Sequence, residues 1–290
     1  MAIWPQSAPK TPTSIEEVRA RYDARFARFG AAPDAVEVVP GQLGPIGGEW
    51  LRGPGSDAGR AILYFHGGGF VAGSPQTHRP IAGRLVEASG VAAFSVAYRL
   101  APGSFFPAPV RDGIDAYRAL IAKMPASSII LAGDEAGGGL AFAVALAVRN
   151  AGLAMPGGVV ALSPWADLSL SGLSMLGNRK NDPALDWDGL FLCARSYLRK
   201  SNPCDAYASP AWAPLSGFPP VMVHAGASEI LRDDASKLGD RAADASVPVS
   251  VEIYVGMGHL FQLDGSRNEA KVSLSRLAQF IRAKTAALAA

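Results

Sequence analysis

Residues 128–139 read Ser128-Ile129-Ile130-Leu131-Ala132-Gly133-Asp134-Glu135-Ala136-Gly137-Gly138-Gly139. The apolar run ending at Ala132 is too short for a core helix, so we read Ser128 to Ala132 as a buried strand. Beyond the glycines a helical pattern starts near Gly138 and continues to Ala151. Strand, sharp glycine turn and helix form an elbow that holds its central residue in strained backbone geometry and points it into a crevice. The usual frame is G-x-S-x-G; here it is Gly133-x-Glu135-x-Gly137, with the small residues present and the hydroxyl absent. Taken alone, the stretch would read first as an ordinary glycine turn with a solvated glutamate.

Outward from the elbow the same rhythm repeats. Ala61 to Phe65, Val91 to Tyr98, Val159 to Leu162, Val221 to Ala225 and Val249 to Val255 are compact apolar runs. Helical patterns at Pro80 to Ala88, Val110 to Lys123, Ala235 to Ala243 and Glu269 to Ala287 alternate with them. Such alternation needs crossover connections, and so predicts an α/β fold with a mostly parallel central sheet flanked by helices. Short runs at Val36 to Val39 and Glu49 to Arg52, split by glycines, read as an antiparallel hairpin. Ser14 and Glu17 predict a capping box, with Ile15, Val18, Tyr22 and Phe26 forming the apolar face of an N-terminal helix. Residues 166–212 carry Leu168, Leu173, Met175, Trp187, Leu190, Phe191, Tyr197 and Leu198 without a strand-like run, and read as a helical excursion over one end of the sheet.

Composition narrows the function classes. At 290 residues, 49% hydrophobic and 18% charged, the chain can bury a sizeable core and is no disordered polymer. No linker separates two hydrophobic blocks, so we expect a single domain spanning 1–290. The 27 basic and 25 acidic residues leave a charge of only +2, which disfavours nucleic acid as a partner. Cys193 and Cys204 have neither metal-ligand spacing nor a disulfide framework. With no signal-like start and no apolar run long enough to cross a bilayer, we expect a cytoplasmic protein without membrane insertion. An exposed last strand would offer an edge for a homodimer.

The 32 glycines cluster where strands end, the place where open parallel sheets gather their chemistry. His66-Gly67-Gly68-Gly69-Phe70 directly follows the run Ala61 to Phe65, and its unshielded N–H groups can bind an anion such as the oxyanion of acyl transfer. A phosphate loop would need a Lys or Ser/Thr and an immediate helix, which Phe70-Val71-Ala72 does not supply. Late in the chain Glu229 follows one strand and Gly256-Met257-Gly258-His259 follows the next. Elbow residue, acid, histidine is the chain order of one type of catalytic triad. His66, His224 and His259 lie in or beside strand ends, whereas His78 reads as surface or structural.

Together these residues resemble the hormone-sensitive-lipase-like branch of the α/β-hydrolases, the bacterial carboxylesterases. His66-Gly67-Gly68-Gly69-Phe70 is similar to its oxyanion signature and Tyr98-Arg99-Leu100-Ala101-Pro102 to its tyrosine-arginine segment. Leu162-Ser163-Pro164-Trp165-Ala166-Asp167-Leu168, Glu229 with Leu231, Asp233 and Asp234, and His259-Leu260-Phe261 are also similar. The resemblance implies an α/β-hydrolase fold with a helical cap from about 1–34 and 166–212. It implies Gly67, Gly68 and Ala136 as oxyanion donors, His259 as base and Glu229 as its orienting acid. Two positions depart from the pattern: Gly103 stands where the family usually has Glu, and Glu135 stands at the serine nucleophile.

The resemblance therefore implies hydrolysis of esters or lactones with no metal and no cofactor, since nucleophile, base and hole would all be protein groups; with no charge cluster evident at the predicted mouth, we expect the substrate to be small and neutral. Glu135 changes what that chemistry can be. A carboxylate attacking an ester would give a mixed anhydride, more reactive than the ester, so the covalent route gains little. Attack on an alkyl carbon would give a hydrolysable ester, but the glycine donors suit a carbonyl oxygen. Glu135 could instead activate water as a general base, or plug the oxyanion hole and leave a catalytically silent member that binds a small apolar ligand. An introduced substitution in an active esterase is the remaining reading.

Overall fold

The computed structural model describes residues 12–286; residues 1–11 of the expected cap, and Ala287 of the last helix, lie outside them. Within them eight strands form one sheet in the order β1-β2-β4-β3-β5-β6-β7-β8. Strands β1 (Glu37–Leu43) and β2 (Ile46–Arg52) are the predicted hairpin, and β2 pairs antiparallel with β4 (Ala93–Val96). From β4 onward the ladder is parallel through β3 (Ala61–Phe65), β5 (Ile129–Asp134), β6 (Gly158–Leu162), β7 (Val221–Gly226) and β8 (Val249–Tyr254). Strands β3 to β6 are buried along their whole length, which is why they read as continuous apolar runs. β8 is one edge of the open sheet, only half-buried, and Val255 beyond it is 86% exposed.

Right-handed crossovers fix the layers. The step from β3 to β4 runs one way along the sheet and carries α2 (Arg79–Ser89); the steps to β5, β6 and β8 run the other way and carry α3 (Ala108–Ile121), α4 (Ala136–Asn150) and α7 (Arg232–Asp244). Accordingly α2 packs with α8 (Asn268–Thr285) on one face and α3 packs with α4 on the other. Helix α4 is apolar almost all round and nearly every residue of it is buried, as a central helix requires.

Ahead of the sheet, α1 (Ile15–Phe26) starts at Ser14, whose hydroxyl accepts the Glu17 N–H at 3.2 Å. The return arm of the predicted box shifts by one residue, since the Glu17 carboxylate accepts from the Thr13 N–H at 2.8 Å. Between β6 and β7 the excursion contains α5 (Ser174–Gly177) and α6 (Trp187–Leu198), the latter capped by the Asp186 carboxylate on the Gly189 N–H at 2.8 Å. α1 lies against α6, so the N-terminal segment and the excursion meet above the carboxyl ends of the central strands.

Candidate active site

The register Phe65↔Gly133 between β3 and β5 brings the two glycine loops side by side. Glu135 occupies the elbow at φ 49°, ψ −119°, outside the ordinary regions for an L-residue. It is pinned from both sides: its N–H donates to Leu162 O at 3.0 Å and its carbonyl accepts from Trp165 N at 2.7 Å. Close packing demands the glycine frame. A Cβ on Gly137 would lie 2.0 Å from Phe65 O and 2.5 Å from His66 O, both backbone atoms.

The Glu135 side chain is buried, and its Oε1 accepts the Gly69 N–H at 2.9 Å. Gly69 has φ +62°, a conformation glycine adopts freely. The Gly67 N–H points elsewhere, to Asp134 Oδ1 and His78 Nε2, both at 3.2 Å. Gly68 lines the cavity floor, and Ala136 opens α4, where first-turn N–H groups have no acceptor within the helix. The backbone donor engaged by the elbow side chain is thus Gly69, which the resemblance passed over in naming Gly67 and Gly68.

His259 and Glu229 meet as their order suggested. His259 Nδ1 lies 2.7 Å from Glu229 Oε2, and Glu229 Oε1 accepts the Gly226 N–H at 2.6 Å. The other ring nitrogen, Nε2, faces Glu135 Oε2 at 3.9 Å, and neither atom forms a hydrogen bond. Burial alone would pull the His259 pKa down, but the two flanking carboxylates more than offset it and raise it to about 9. At neutral pH His259 is therefore an imidazolium.

Beneath the glycine loop, the Asp134 carboxylate accepts the Tyr64 hydroxyl at 2.7 Å and lies 3.3 Å from His78 Nε2. His78 also meets the Tyr22 hydroxyl of α1 at 3.0 Å. It is fully buried, so the structural half of its expectation holds and the surface half does not. Tyr98 stacks on His66 and donates to His66 O at 2.6 Å, tying the tyrosine-arginine segment to the start of the glycine loop.

A cavity of about 420 Å³ opens above this floor, within the range of small-molecule sites. α1 forms one wall and the stretch from Pro183 to Cys193 the other. Contrary to the expectation of a mouth without a charge cluster, Arg21, Arg25 and Arg28 all line it. Arg21 and Arg25 stand one turn apart on α1 and Arg28 follows in the short 3-10 turn Ala27–Phe29, a grouping whose direction the sequence does not reveal. Among the described residues no group of His, Cys, Asp or Glu is arranged to hold a metal ion, and no helix is long and apolar enough to cross a membrane.

These ionisations set a pH profile of stability. His259 binds its proton more tightly folded than unfolded, so its contribution is complete below about 6.5 and lost as pH rises through about 9. Asp234, raised to about 8 by burial and by the neighbouring Asp167, works in the same direction between about 4 and 8. His66 and His224, lowered by burial to about 3 and about 4, contribute above 6.5 and lose that contribution as pH falls through those values. Calorimetric Tm is expected to fall steadily from pH 7 to 9.5, and less steeply in Glu135→Gln. A flat alkaline limb would contradict the charged His259.

Fold and site together define an enzyme scaffold for acyl transfer: a glycine loop, an elbow at the end of a central strand, and an acid-supported histidine. The sequence profile described as alpha/beta hydrolase fold matches residues 62–263. The chain belongs to this α/β-hydrolase family, in its hormone-sensitive-lipase-like bacterial esterase branch. It is 39% identical over 251 residues to an acetyl-hydrolase of Streptomyces hygroscopicus, covering 85% of this chain and 82% of that one. An esterase of Acinetobacter venetianus is 34% identical over 248 residues, covering 84% and 82%. Among solved structures, an esterase of the bacterial hormone-sensitive lipase family superposes with TM-score 0.91 at 35% identity, covering 96% of this chain and 94% of that one.

Proposed function

We propose that this esterase-type hydrolase scaffold binds a small apolar ligand in its capped cavity without turning esters over, because Glu135 fills the place of the reacting group. The observation that carries this reading is the 2.9 Å bond from the Gly69 N–H to Glu135 Oε1. A donor already engaged by a carboxylate offers little to a substrate oxyanion. The expected donors are therefore Gly69, Gly68 and Ala136, with Gly67 committed to the polar layer below.

Two further features support loss of turnover. An imidazolium at His259 cannot accept a proton, so the histidine cannot act as the general base that the family's chemistry asks of it. Nor does a bridging water fit between Glu135 Oε2 and His259 Nε2: two ordinary hydrogen bonds would set their ends roughly 4.5–5 Å apart, against the 3.9 Å found.

The test is steady-state and burst-phase hydrolysis of p-nitrophenyl butyrate by the unaltered protein and by Glu135→Gln and His259→Ala. We expect no burst, and rates in all three close to the uncatalysed background. Turnover by the unaltered protein that His259→Ala abolishes would overturn the reading in favour of water activation.

A further inference from the structure

We propose that Asp182 and, one turn before it, Asn178 are positioning residues of the site: from the excursion they hold the turn at 227–231 that presents Glu229 to His259. Neither is among the residues lining the cavity. The inference goes beyond the reading of a silent site, since it concerns how the acid is aimed whether or not esters are turned over.

The turn is gripped from two sides. On the β8 side the Ala227 N–H donates to Tyr254 O at 2.9 Å and the Ser228 N–H to Met257 O at 3.0 Å, close before His259 in the chain. On the excursion side Asn178 Nδ2 donates to Ala227 O at 2.9 Å and to Glu229 O at 2.8 Å, and Asp182 Oδ2 accepts the Ile230 N–H at 2.9 Å. The Asp182 N–H in turn donates to Asn178 O at 2.9 Å, so the two side chains leave a single turn of chain together. The residues on either side of Glu229 are thus both held, Ser228 by the His259 loop and Ile230 by the excursion.

Asp182 is buried, and its other oxygen ties down the cavity wall: Oδ1 accepts the Ala184 N–H at 2.8 Å and the Leu185 N–H at 3.2 Å. Three backbone N–H groups on one carboxylate make charge-assisted bonds, stronger than neutral ones. The arrangement needs two acceptor oxygens. An asparagine of the same shape would turn its NH2 toward a backbone N–H at one end or the other. Charge and geometry here act in opposite senses. Glu229 is raised by burial and further by the Asp182 charge, which therefore weakens the acid, while the charges that hold the His259 proton are those of Glu135 and Glu229. Across the gap Arg25 of α1, lowered to about 10 by burial, is stabilised as a cation by the same charge. Loss of the Asp182 charge alone would keep the His259 pKa or raise it, whereas loss of its grip on the turn would lower it.

The test is the His259 pKa of the full chain, followed by side-chain NMR from neutral to alkaline pH and assigned with His259→Gln. His66 and His224, at about 3 and about 4, titrate outside this range. Asp182→Asn and Asn178→Ala are each expected to lower the His259 value by about one pH unit, the scale of one well-placed carboxylate neighbour, and to broaden the Nδ1–H resonance of the bond to Glu229. Asn178→Ala changes no charge, so its effect comes through the turn. Asp188→Asn removes a half-exposed carboxylate from the same excursion and should leave His259 unmoved. If Asp182→Asn does not fold, Asn178→Ala carries the test. A His259 pKa unchanged or raised in folded Asp182→Asn, unchanged in folded Asn178→Ala, or lowered equally in Asp188→Asn would overturn the proposal. A value below neutrality in the unaltered chain would count against the silent-site reading alone, because the proposal is read from the differences between chains.

Discussion

Glu135→Ser is expected to raise kcat/KM for p-nitrophenyl butyrate by at least about a thousandfold over the unaltered protein, the scale at which a nucleophile and its base act as a unit. Three changes coincide at this one position. The shorter side chain withdraws from the Gly69 N–H, returning that donor to a substrate carbonyl. His259 loses one of the two carboxylates that hold its pKa near 9, so it falls toward the range of a general base. The hydroxyl itself inherits the elbow position, with Glu229 still orienting the ring through the 2.7 Å bond to Nδ1. Rapid phosphonylation by a fluorophosphonate probe, seen as a mass shift in the Ser variant alone, would register the same gain independently of turnover. A folded Ser variant that neither hydrolyses the ester nor reacts with the probe would mean that the donors or the histidine are misplaced, and the scaffold argument would fail with it.

The second large effect concerns folding. Gly137→Ala is expected to destabilise the chain by more than about 4 kcal/mol, a size reserved for a few mechanisms of which backbone overlap is one. Its Cβ would meet two carbonyl oxygens of the β3 end at 2.0 and 2.5 Å, and neither can rotate away as a side chain could. Relief requires α4 to retreat from β3 and so opens the central layer. In urea titration the midpoint should drop sharply, or the protein should fail to accumulate in soluble form. Gly177→Ala is the control, because a Cβ there meets nothing within 4 Å and its φ is ordinary; its midpoint should stay within error of the unaltered chain. Comparable stability of the two variants would show that the helix can shift without cost.

Much of this architecture was legible in the sequence because it rests on local pattern. Ala61 to Phe65 matches β3 residue for residue, since both its faces are buried and hydrophobicity alone delimits it. Val91 to Tyr98 is longer than β4, because Tyr98 leaves the ladder to bond His66 O. Helix α7 begins at Arg232 rather than Ala235, its first turn holding Asp233 and Asp234, acidic residues that suit a helix N-terminus more than an apolar count reveals. At the site, Glu229 and His259 could be placed from their positions after consecutive strands. What could not be read was direction: which glycine N–H faces the elbow, that His78 lies under the loop, and that three arginines share a cavity wall. Each depends on how α1 settles against strand ends distant in sequence, and no periodicity within a segment encodes that meeting.

The positive φ at Glu135 is present although a carboxylate and not a hydroxyl stands there. Leu162, Trp165 and the glycines on either side impose it, so the conformation belongs to the surroundings and not to the residue. Position 135 is in effect a socket: whichever side chain is encoded there is delivered to the same point, between a backbone N–H and an imidazole, under the same roof. A thiol, an imidazole or an unnatural side chain installed at that one position would arrive already oriented, making the molecule a ready mount for chemistries beyond the reach of a carboxylate.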